Sequence, residues 1–229
     1  GISAEFSSQG TSFLYVIIDD KIDTHDRQLL KIDGNKKWFS LATGLADTIH
    51  SLELVKTNQY DTIIRFTGLK IDGQGLVDKP EQKELFLEFY GDSNPAGHSA
   101  WDPKDWGTVI DNGGYFTYPA ITARLLNAAF SNVSGGGAGI TNKASWNLRD
   151  YYPLIHMNDG DTPANQWNYE DNFWGRNPDA VIINLGANDY YPGALKFEIK
   201  AGWRGMINQL RDYYPEAHIV LANSRSEEH

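Results

Sequence analysis

Three short segments hold residue types that could perform chemistry, and two of them directly follow strand-like runs. Gly91-Asp92-Ser93-Asn94 comes after the apolar run 85–90, and Gly186-Ala187-Asn188-Asp189 comes after the run 180–185. A glycine-rich segment, 134–140, lies between them. In an open α/β sheet, ligands bind just beyond the carboxyl ends of the strands, so segments at such positions can contribute to one site.

Each segment could present polar groups at the edge of the sheet. Gly91 permits a tight exit from a strand, and a serine behind it can be exposed there, with the start of a helix beyond it. Glycines lack Cβ atoms, so the backbone N–H groups of 134–140 can approach a ligand closely. The side-chain amide of Asn188 could donate to a developing oxyanion. Taken singly, each segment is explained at least as well by an ordinary turn, a helix N-cap or a flexible loop.

The elements that must position these segments change character along the chain. Residues 1–83 form short apolar or alternating runs separated by Gly and Asp turns, which favours a β-sandwich. From residue 84 onward, strand-like runs alternate with helical stretches, so 84–229 is predicted to be an α/β domain of three layers around a doubly wound parallel sheet. Its strands are expected at 85–90, 180–185 and 218–222, and its helices at 118–129 and 200–213. Ile121, Leu125 and Leu126 fall on one face of the first helix.

In this order, the three segments resemble the first, second and third sequence blocks of the SGNH hydrolase superfamily, which contains the GDSL-like enzymes. Further segments resemble carbohydrate esterase family two within it: Tyr118-Pro119-Ala120-Ile121-Thr122-Ala123-Arg124-Leu125, Gly10-Thr11-Ser12, Ile32-Asp33-Gly34 and 50–56. That family places a small, jelly-roll-like β-sandwich ahead of the hydrolase domain. The resemblance covers nearly the whole chain and implies the same order of domains here.

The resemblance also implies a role for each residue of the three segments. Ser93 would be the nucleophile. Its own backbone N–H, the N–H of Gly137 and the side-chain amide of Asn188 would form the oxyanion hole. Gly135, directly after Ser134, is an alternative to Gly137.

Neighbouring residues are expected to support the site. Asp92 and Asp189 are expected to pin the loops that present their neighbours, and His98 to line the pocket. Aromatic side chains in polar segments are expected to rim the strand ends and stack on sugar rings, with Trp174 and Tyr190 as the candidates for substrate binding. The same rim could include Trp101, Trp106, Trp167 and Tyr191.

A catalytic base is harder to find. In the superfamily it is a histidine in a late Asp-x-x-His block, and only His218 and His229 follow Asn188. His218 opens a strand-like run and is interpreted as structural, while His229 has Ser226 rather than Asp three residues before it. We therefore expect the chain to be an incomplete version of a longer one, with a degenerate, inactive homologue as the alternative.

Composition limits the classes of function further. The 229 residues have a net charge of −10 and contain no Cys, which argues against nucleic-acid binding and excludes disulfides, thiolate metal sites and a cysteine nucleophile. No apolar stretch approaches the roughly 20 residues that span a bilayer, so no membrane partner is expected. The acidic turn 158–161 lacks the Glu that closes a calcium loop, and no metal or organic cofactor is expected.

The resulting hypothesis is a serine esterase that removes acetyl groups from polysaccharide or oligosaccharide hydroxyls through an acyl-enzyme. The resemblance implies a secreted or periplasmic protein. One alternative is a lipid or aryl esterase of the same superfamily, which would need a substantial apolar acyl pocket. The other is a non-catalytic carbohydrate-binding homologue, which would have no histidine within reach of Ser93.

Overall fold

The computed structural model describes residues 1–21, 28–57, 62–78, 81–98, 100, 113–155, 162–169 and 175–222. These residues divide into two compact units, the first within Gly1–Glu81 and the second beginning at Gln82. None of the helices in these ranges is long and apolar enough to cross a membrane.

The first unit consists of two antiparallel sheets. Its described strands are β1 (Ile2–Gln9), β2 (Ser12–Ile18), β3 (Gln28–Ile32), β4 (Lys37–Ala42), β5 (Leu52–Lys56) and β6 (Ile63–Ile71). One sheet has the order β4-β1-β6 and the other β3-β2-β5. Phe6 of the first sheet and Leu14 of the second belong to one buried apolar cluster, so the sheets share a core. A jelly-roll arrangement of these strands stays a prediction.

The second unit contains the parallel sheet. Its described strands are β7 (Phe86–Gly91), β8 (Ala129–Ser134), β9 (Ala138–Gly139), β10 (Trp146–Asn147), β11 (Ala180–Asn184) and β12 (His218–Leu221). Its α-helices are α1 (Ser93–Ala96), α2 (Tyr118–Leu125), α3 (Ala187–Tyr190) and α4 (Lys196–Tyr213). Four strands form a sheet of order β12-β11-β7-β8 in which every neighbouring pair is parallel, and β9 and β10 form a small separate pair.

Helices cover both faces of this sheet. Met206 and Leu210 of α4 pack with Ile183 on one face. Ala123 of α2 packs with Phe89 on the other. The predicted parallel α/β architecture is therefore confirmed for the second unit. Burial of these apolar side chains against the sheet, rather than helix propensity, is the main source of stability for such helices.

The prediction for α2 was wrong about its end, because the helix ends at Leu125 rather than at residue 129. The helix buries Ala120 and Ala123, while Ile121 is 41% exposed and Leu125 is 82% exposed. Side chains as small as alanine let the helix backbone approach the sheet closely, and the larger apolar residues are turned towards solvent. Residues 129–134 form β8, a strand that the sequence did not predict.

The order of the strands determines where a ligand should bind. From β7 the chain moves to β8 on one side of the sheet and later to β11 on the other, so the direction of winding reverses between β7 and β11. In doubly wound sheets this reversal opens a crevice at the carboxyl ends of the two strands. Ser93 follows β7 and Asn188 follows β11, so both lie beside the expected crevice.

Candidate active site

The three segments meet at the carboxyl edge of the parallel sheet. Gly91 ends β7 and is paired with Ser134, the last residue of β8, and with Asn184, the last residue of β11. The Ser93 segment, the glycine-rich segment and the Asn188 segment therefore leave the sheet from adjacent positions.

Ser93 is the first residue of a single helical turn, α1. Gly91 precedes it because a Cβ atom there would overlap the Pro95 ring that packs against the end of β7. Asp92 caps the turn, accepting a hydrogen bond from the Asn94 N–H at 2.9 Å. Among the described residues, the backbone N–H of Ser93 has no acceptor, which is usual at the start of a helix.

Hydrogen bonds in the glycine-rich segment distinguish Gly135 from Gly137 as the candidate backbone donor. The Gly135 N–H donates to the Gly91 carbonyl at 3.2 Å, so it is already engaged in the sheet. The Gly137 N–H has no acceptor within the described ranges. Gly137 has φ +77°, a conformation that favours glycine, and the indole N–H of Trp146 donates to the preceding carbonyl of Gly136 at 2.8 Å. Gly137 is therefore the better candidate than Gly135.

Asn188 lies in α3 and is joined to the glycine-rich segment through its side chain. Its Nδ2 donates to the carbonyl of Ala138 at 2.9 Å. An amide nitrogen has two hydrogens, so this bond orients the side chain and leaves the second hydrogen for another acceptor. The bond therefore holds Asn188 next to the turn that contains Gly137.

Asp189 fixes the chain just beyond that turn. Its carboxylate is fully buried and accepts hydrogen bonds from the Ile140 N–H at 2.9 Å and from the Thr141 N–H and hydroxyl at 2.7 Å each. A Cβ atom at Gly139 would lie only 2.6 Å from Oδ2 of Asp189. These contacts agree with the pinning role expected for Asp189, and Asp92 has the corresponding role at α1.

Burial determines the electrostatics beneath the site. It raises the pKa of Asp92, although hydrogen bonds from Asn94 oppose the shift. Burial also raises the pKa of Tyr118 to about 12; its phenol oxygen lies near Asn184, which lowers the value slightly, and near Asp92.

Two histidines can be placed relative to Ser93. The His98 N–H donates to the Ser93 carbonyl at 3.0 Å, and its role in lining a pocket stays a prediction. His218 is paired with Ala180, the first residue of β11, and so lies at the amino edge of the sheet, opposite Ser93. His218 therefore cannot act as the base, and His229 lies outside the described residues.

The predicted aromatic rim is only partly described. Tyr190 ends α3, two residues beyond Asn188, and is 45% exposed, so its position is compatible with substrate binding. The Trp167 side chain lies beside Tyr214, and its place in the rim stays a prediction. The remaining tryptophans of the rim, Trp101, Trp106 and Trp174, lie outside the described residues, as does the acidic turn 158–161.

Several residues that contact the three segments were missed by the sequence analysis. Trp146 bonds Gly136, while Thr117 and Asn132 both bond the Pro95 carbonyl in α1. The residue types alone do not predict these contacts, because each contact depends on how segments distant in the sequence pack together. Within the described ranges, no group of three or more His, Cys, Asp or Glu side chains could hold a metal ion.

Comparison with known proteins relates the chain to ester hydrolases. Residues 89–227 match the model of the GDSL-like lipase/acylhydrolase family. A cellulase/esterase, CelE, from Acetivibrio thermocellus is 27% identical over 225 residues, which are 95% of this chain and 26% of the relative. The chain thus spans about a quarter of the length of that curated relative.

Solved structures extend the similarity across both units. A family two carbohydrate esterase from Clostridium thermocellum, solved in complex with cellohexaose, has 25% sequence identity and a TM-score of 0.85 over 97% of this chain and 67% of its own. An acetyl xylan esterase from the rumen bacterium Butyrivibrio proteoclasticus is 19% identical, with a TM-score of 0.78 over 97% of this chain and 70% of its own. The similarity to the acetyl xylan esterase, at 19% identity, shows a shared fold.

Proposed function

Because the chain belongs to the GDSL-like lipase/acylhydrolase family, we propose that it is a serine esterase that removes acetyl groups from carbohydrate hydroxyls. The observation that supports this most is the pairing of Gly91 with both Ser134 and Asn184. It brings a capped serine, a glycine turn and an asparagine amide to one crevice at the edge of the sheet.

In the proposed reaction, Ser93 Oγ attacks the carbonyl carbon of the acetyl ester. The electron pair of the C=O bond moves to the oxygen, which the N–H groups of Ser93 and Gly137 and the second amide hydrogen of Asn188 stabilise. Collapse of this intermediate breaks the bond to the sugar oxygen and leaves an acetyl-enzyme, which water then hydrolyses to acetate. A histidine outside the described residues would take the Ser93 proton and deliver it to the leaving oxygen.

A carbohydrate substrate is supported by the relatives and by the surface near the site. One similar structure binds cellohexaose, and several similar proteins are carbohydrate esterases. Tyr190 presents a half-exposed ring close to Asn188, where an aromatic face could stack on a sugar.

The direct test is release of acetate from an acetylated xylo- or cello-oligosaccharide. Ser93→Ala should abolish release while leaving the unfolding transition unchanged. Ser40→Ala is the matched control, because Ser40 is an exposed serine in β4 of the first unit and its removal should leave activity unchanged. A fluorophosphonate should label the parent once, on Ser93. Activity of Ser93→Ala close to that of the parent would refute the assignment.

Acyl length separates the proposal from a lipid or aryl esterase. If the pocket fits acetyl closely, a butyryl ester must force extra methylenes into it, at a cost of about 1–3 kcal/mol. With one common leaving group, kcat/KM should then fall by roughly ten- to a hundredfold from acetyl to butyryl. Equal or faster turnover of butyryl would favour the lipid or aryl esterase.

A second candidate is a carbohydrate-binding protein without catalysis. It is favoured by the position of His218 at the edge of the sheet opposite Ser93, which removes one of the two late histidines from the site. Calorimetric titration with cello-oligosaccharides distinguishes the two. Binding by a protein whose Ser93 is not labelled by a fluorophosphonate would support the binding function.

A further inference from the structure

The helical turn that holds Ser93 is too short to fix its own position. α1 contains four residues, and an isolated turn of this length is unstable because nucleation costs more than its few hydrogen bonds return. Contacts from outside the turn must therefore fix its orientation. The hydrogen bonds that its carbonyl groups accept identify these contacts.

Most carbonyls of the turn are satisfied locally. Asp92 O accepts from the Ala96 N–H, Ser93 O from the His98 N–H and Asn94 O from the Gly97 N–H. Among the described residues, which do not include Ser99, Pro95 O has no backbone donor. Instead it accepts two side-chain hydrogen bonds, from the Thr117 hydroxyl at 2.9 Å and from Nδ2 of Asn132 at 2.8 Å.

The two donors are not equivalent. The Thr117 hydroxyl has one hydrogen, and it also lies 2.7 Å from the carbonyl of Gly114, so it is shared between two acceptors. Asn132 gives Pro95 an amide hydrogen that no other described acceptor shares. Its Oδ1 accepts from the Ser134 hydroxyl at 2.6 Å, which fixes the orientation of the amide.

Asn132 therefore joins two parts of the site. It holds the α1 turn through Pro95, and through Ser134 it is tied to the residue that immediately precedes Gly135 and the glycine turn. The distance between nucleophile and oxyanion donors must be held closely, since a misplacement of about 1 Å can cost roughly 10²-fold in rate.

We propose that Asn132 is a positioning residue that sets the place of Ser93 relative to the glycine turn containing Gly137. This inference rests on the proposed esterase function. Asn132 does not touch the substrate. It acts by holding the Pro95 carbonyl, and so its removal should reduce kcat and leave KM for the acetylated oligosaccharide nearly unchanged.

The sharpest test is Asn132→Asp, compared with Asn132→Ala. A protonated aspartic acid can donate to the Pro95 carbonyl, whereas an ionised carboxylate can only repel it. At about pH 8, where the new carboxyl is ionised, kcat of Asn132→Asp and of Asn132→Ala should both be about tenfold or more below that of the parent, with KM nearly unchanged. The ratio of kcat for Asn132→Asp to that of the parent should rise only as the pH falls through the pKa of the new carboxyl, while the ratio for Asn132→Ala should stay low and constant. A parent-like kcat for Asn132→Asp at about pH 8, or an effect confined to KM, would overturn the proposal.

Hydrogen exchange tests the same inference without relying on activity. In Asn132→Ala, the amides of Ala96, Gly97 and His98 should exchange about ten times faster, while the α4 amides stay protected. Ile199→Val, a core substitution in α4, serves as the control for general destabilisation. Unchanged exchange in α1 would overturn the proposal whether or not the parent hydrolyses esters, whereas an inactive parent with faster exchange in the variant would count against the esterase function alone.

Discussion

The two amide hydrogens of Asn188 are expected to have different uses. One is bound to the Ala138 carbonyl at 2.9 Å, and we assign the other to the oxyanion. Asn188→Ala should lower kcat by roughly 10²–10³, the usual effect of removing one oxyanion donor, with little change in KM. Steady-state kinetics on an acetyl ester measures both constants. An unchanged kcat with a raised KM would mean that Asn188 binds the substrate in its ground state.

Residue types and their order were enough to select Ser93 and Asn188 as candidates, because both directly follow recognisable strands. The choice between Gly135 and Gly137 needed the register of β7 and β8, which shows that the Gly135 N–H is engaged. The role of Asn132 could not be predicted from the sequence. Its hydrogen-bond partner Pro95 is 37 residues away, and nothing about an asparagine inside a strand indicates such a bond.

At the scale of elements, Gly139 shows how closely the loop after β8 is fitted to α3. A methyl group at Gly139 would overlap Ala144 and approach the Asp189 carboxylate to 2.6 Å. Gly139→Ala should cost about 1–3 kcal/mol of stability by overpacking and should also lower kcat, because the displaced Asp189 adjoins Asn188. Urea unfolding and kinetics measure the two effects, with Ser145→Ala in the same loop as the control. Parent-like values for both would show that the loop can relax.

The buried face of α2 gives a second prediction about elements. Ala123→Leu should destabilise the second unit by about 1–3 kcal/mol, because the larger side chain must enter the space between helix and sheet. Leu125→Lys on the exposed side should change stability by no more than about 0.5 kcal/mol. Chemical denaturation of both variants is the measurement. A large loss of stability for Leu125→Lys would mean that the helix face with Ile121, Leu125 and Leu126 is the one that packs in the core.

Elements differed in how well the sequence revealed them. β7 and β11 are short, largely apolar runs followed by glycine, and α4 shows clear helical spacing, so all three were predicted. α4 nevertheless begins at Lys196 rather than residue 200, because Glu198 accepts a hydrogen bond from the Leu195 N–H at 2.7 Å and extends the first turn. β8 was missed because Ser131, Asn132 and Ser134 are polar, and in the sheet these half-buried side chains are partly satisfied by hydrogen bonds.

At the scale of the whole molecule, each unit contains a group whose pKa is raised by folding. In the first unit, His50 has acceptors on both ring nitrogens, Asp19 at 2.9 Å and the Ala46 carbonyl at 3.0 Å, so the doubly protonated ring is favoured and its pKa is raised. Lys21 opposes this shift slightly. The contribution of His50 to stability is therefore complete below the ordinary histidine value and is lost as the pH rises through the raised pKa.

Three carboxylates of the first unit have the opposite dependence on pH and lower its stability at acidic pH. The pKa values of Asp19, Asp33 and Glu5 are lowered, chiefly by hydrogen bonds from His50, Lys37 and Lys36 respectively. Their contributions are present above the ordinary carboxylate values and are lost as the pH falls through the lowered ones. The first unit should therefore be most stable at mildly acidic pH.

In the second unit the corresponding group is Glu88, which is buried in β7 among phenol groups. Its carboxylate accepts hydrogen bonds from Tyr90 and Tyr214, and Tyr152 and Tyr169 lie close by. Burial raises the pKa of Glu88 to about 7 in spite of these bonds. Because the folded state holds this proton more tightly than the unfolded chain, stability is complete below about pH 4.5 and falls as the pH rises to 7.

Glu88→Gln should remove this dependence. The amide is neutral at every pH and its oxygen can still accept from Tyr90, so the variant should be more stable than the parent above pH 7, by up to about 3 kcal/mol, and similar to it near pH 4.5. Thermal or urea unfolding from about pH 4.5 to about pH 8.5 provides the curves. The dependence on pH that His50 contributes should persist in the variant and so acts as an internal control. If the curve for Glu88→Gln runs parallel to that of the parent, then folding leaves the pKa of Glu88 unchanged, because the hydrogen bonds from Tyr90 and Tyr214 offset its burial.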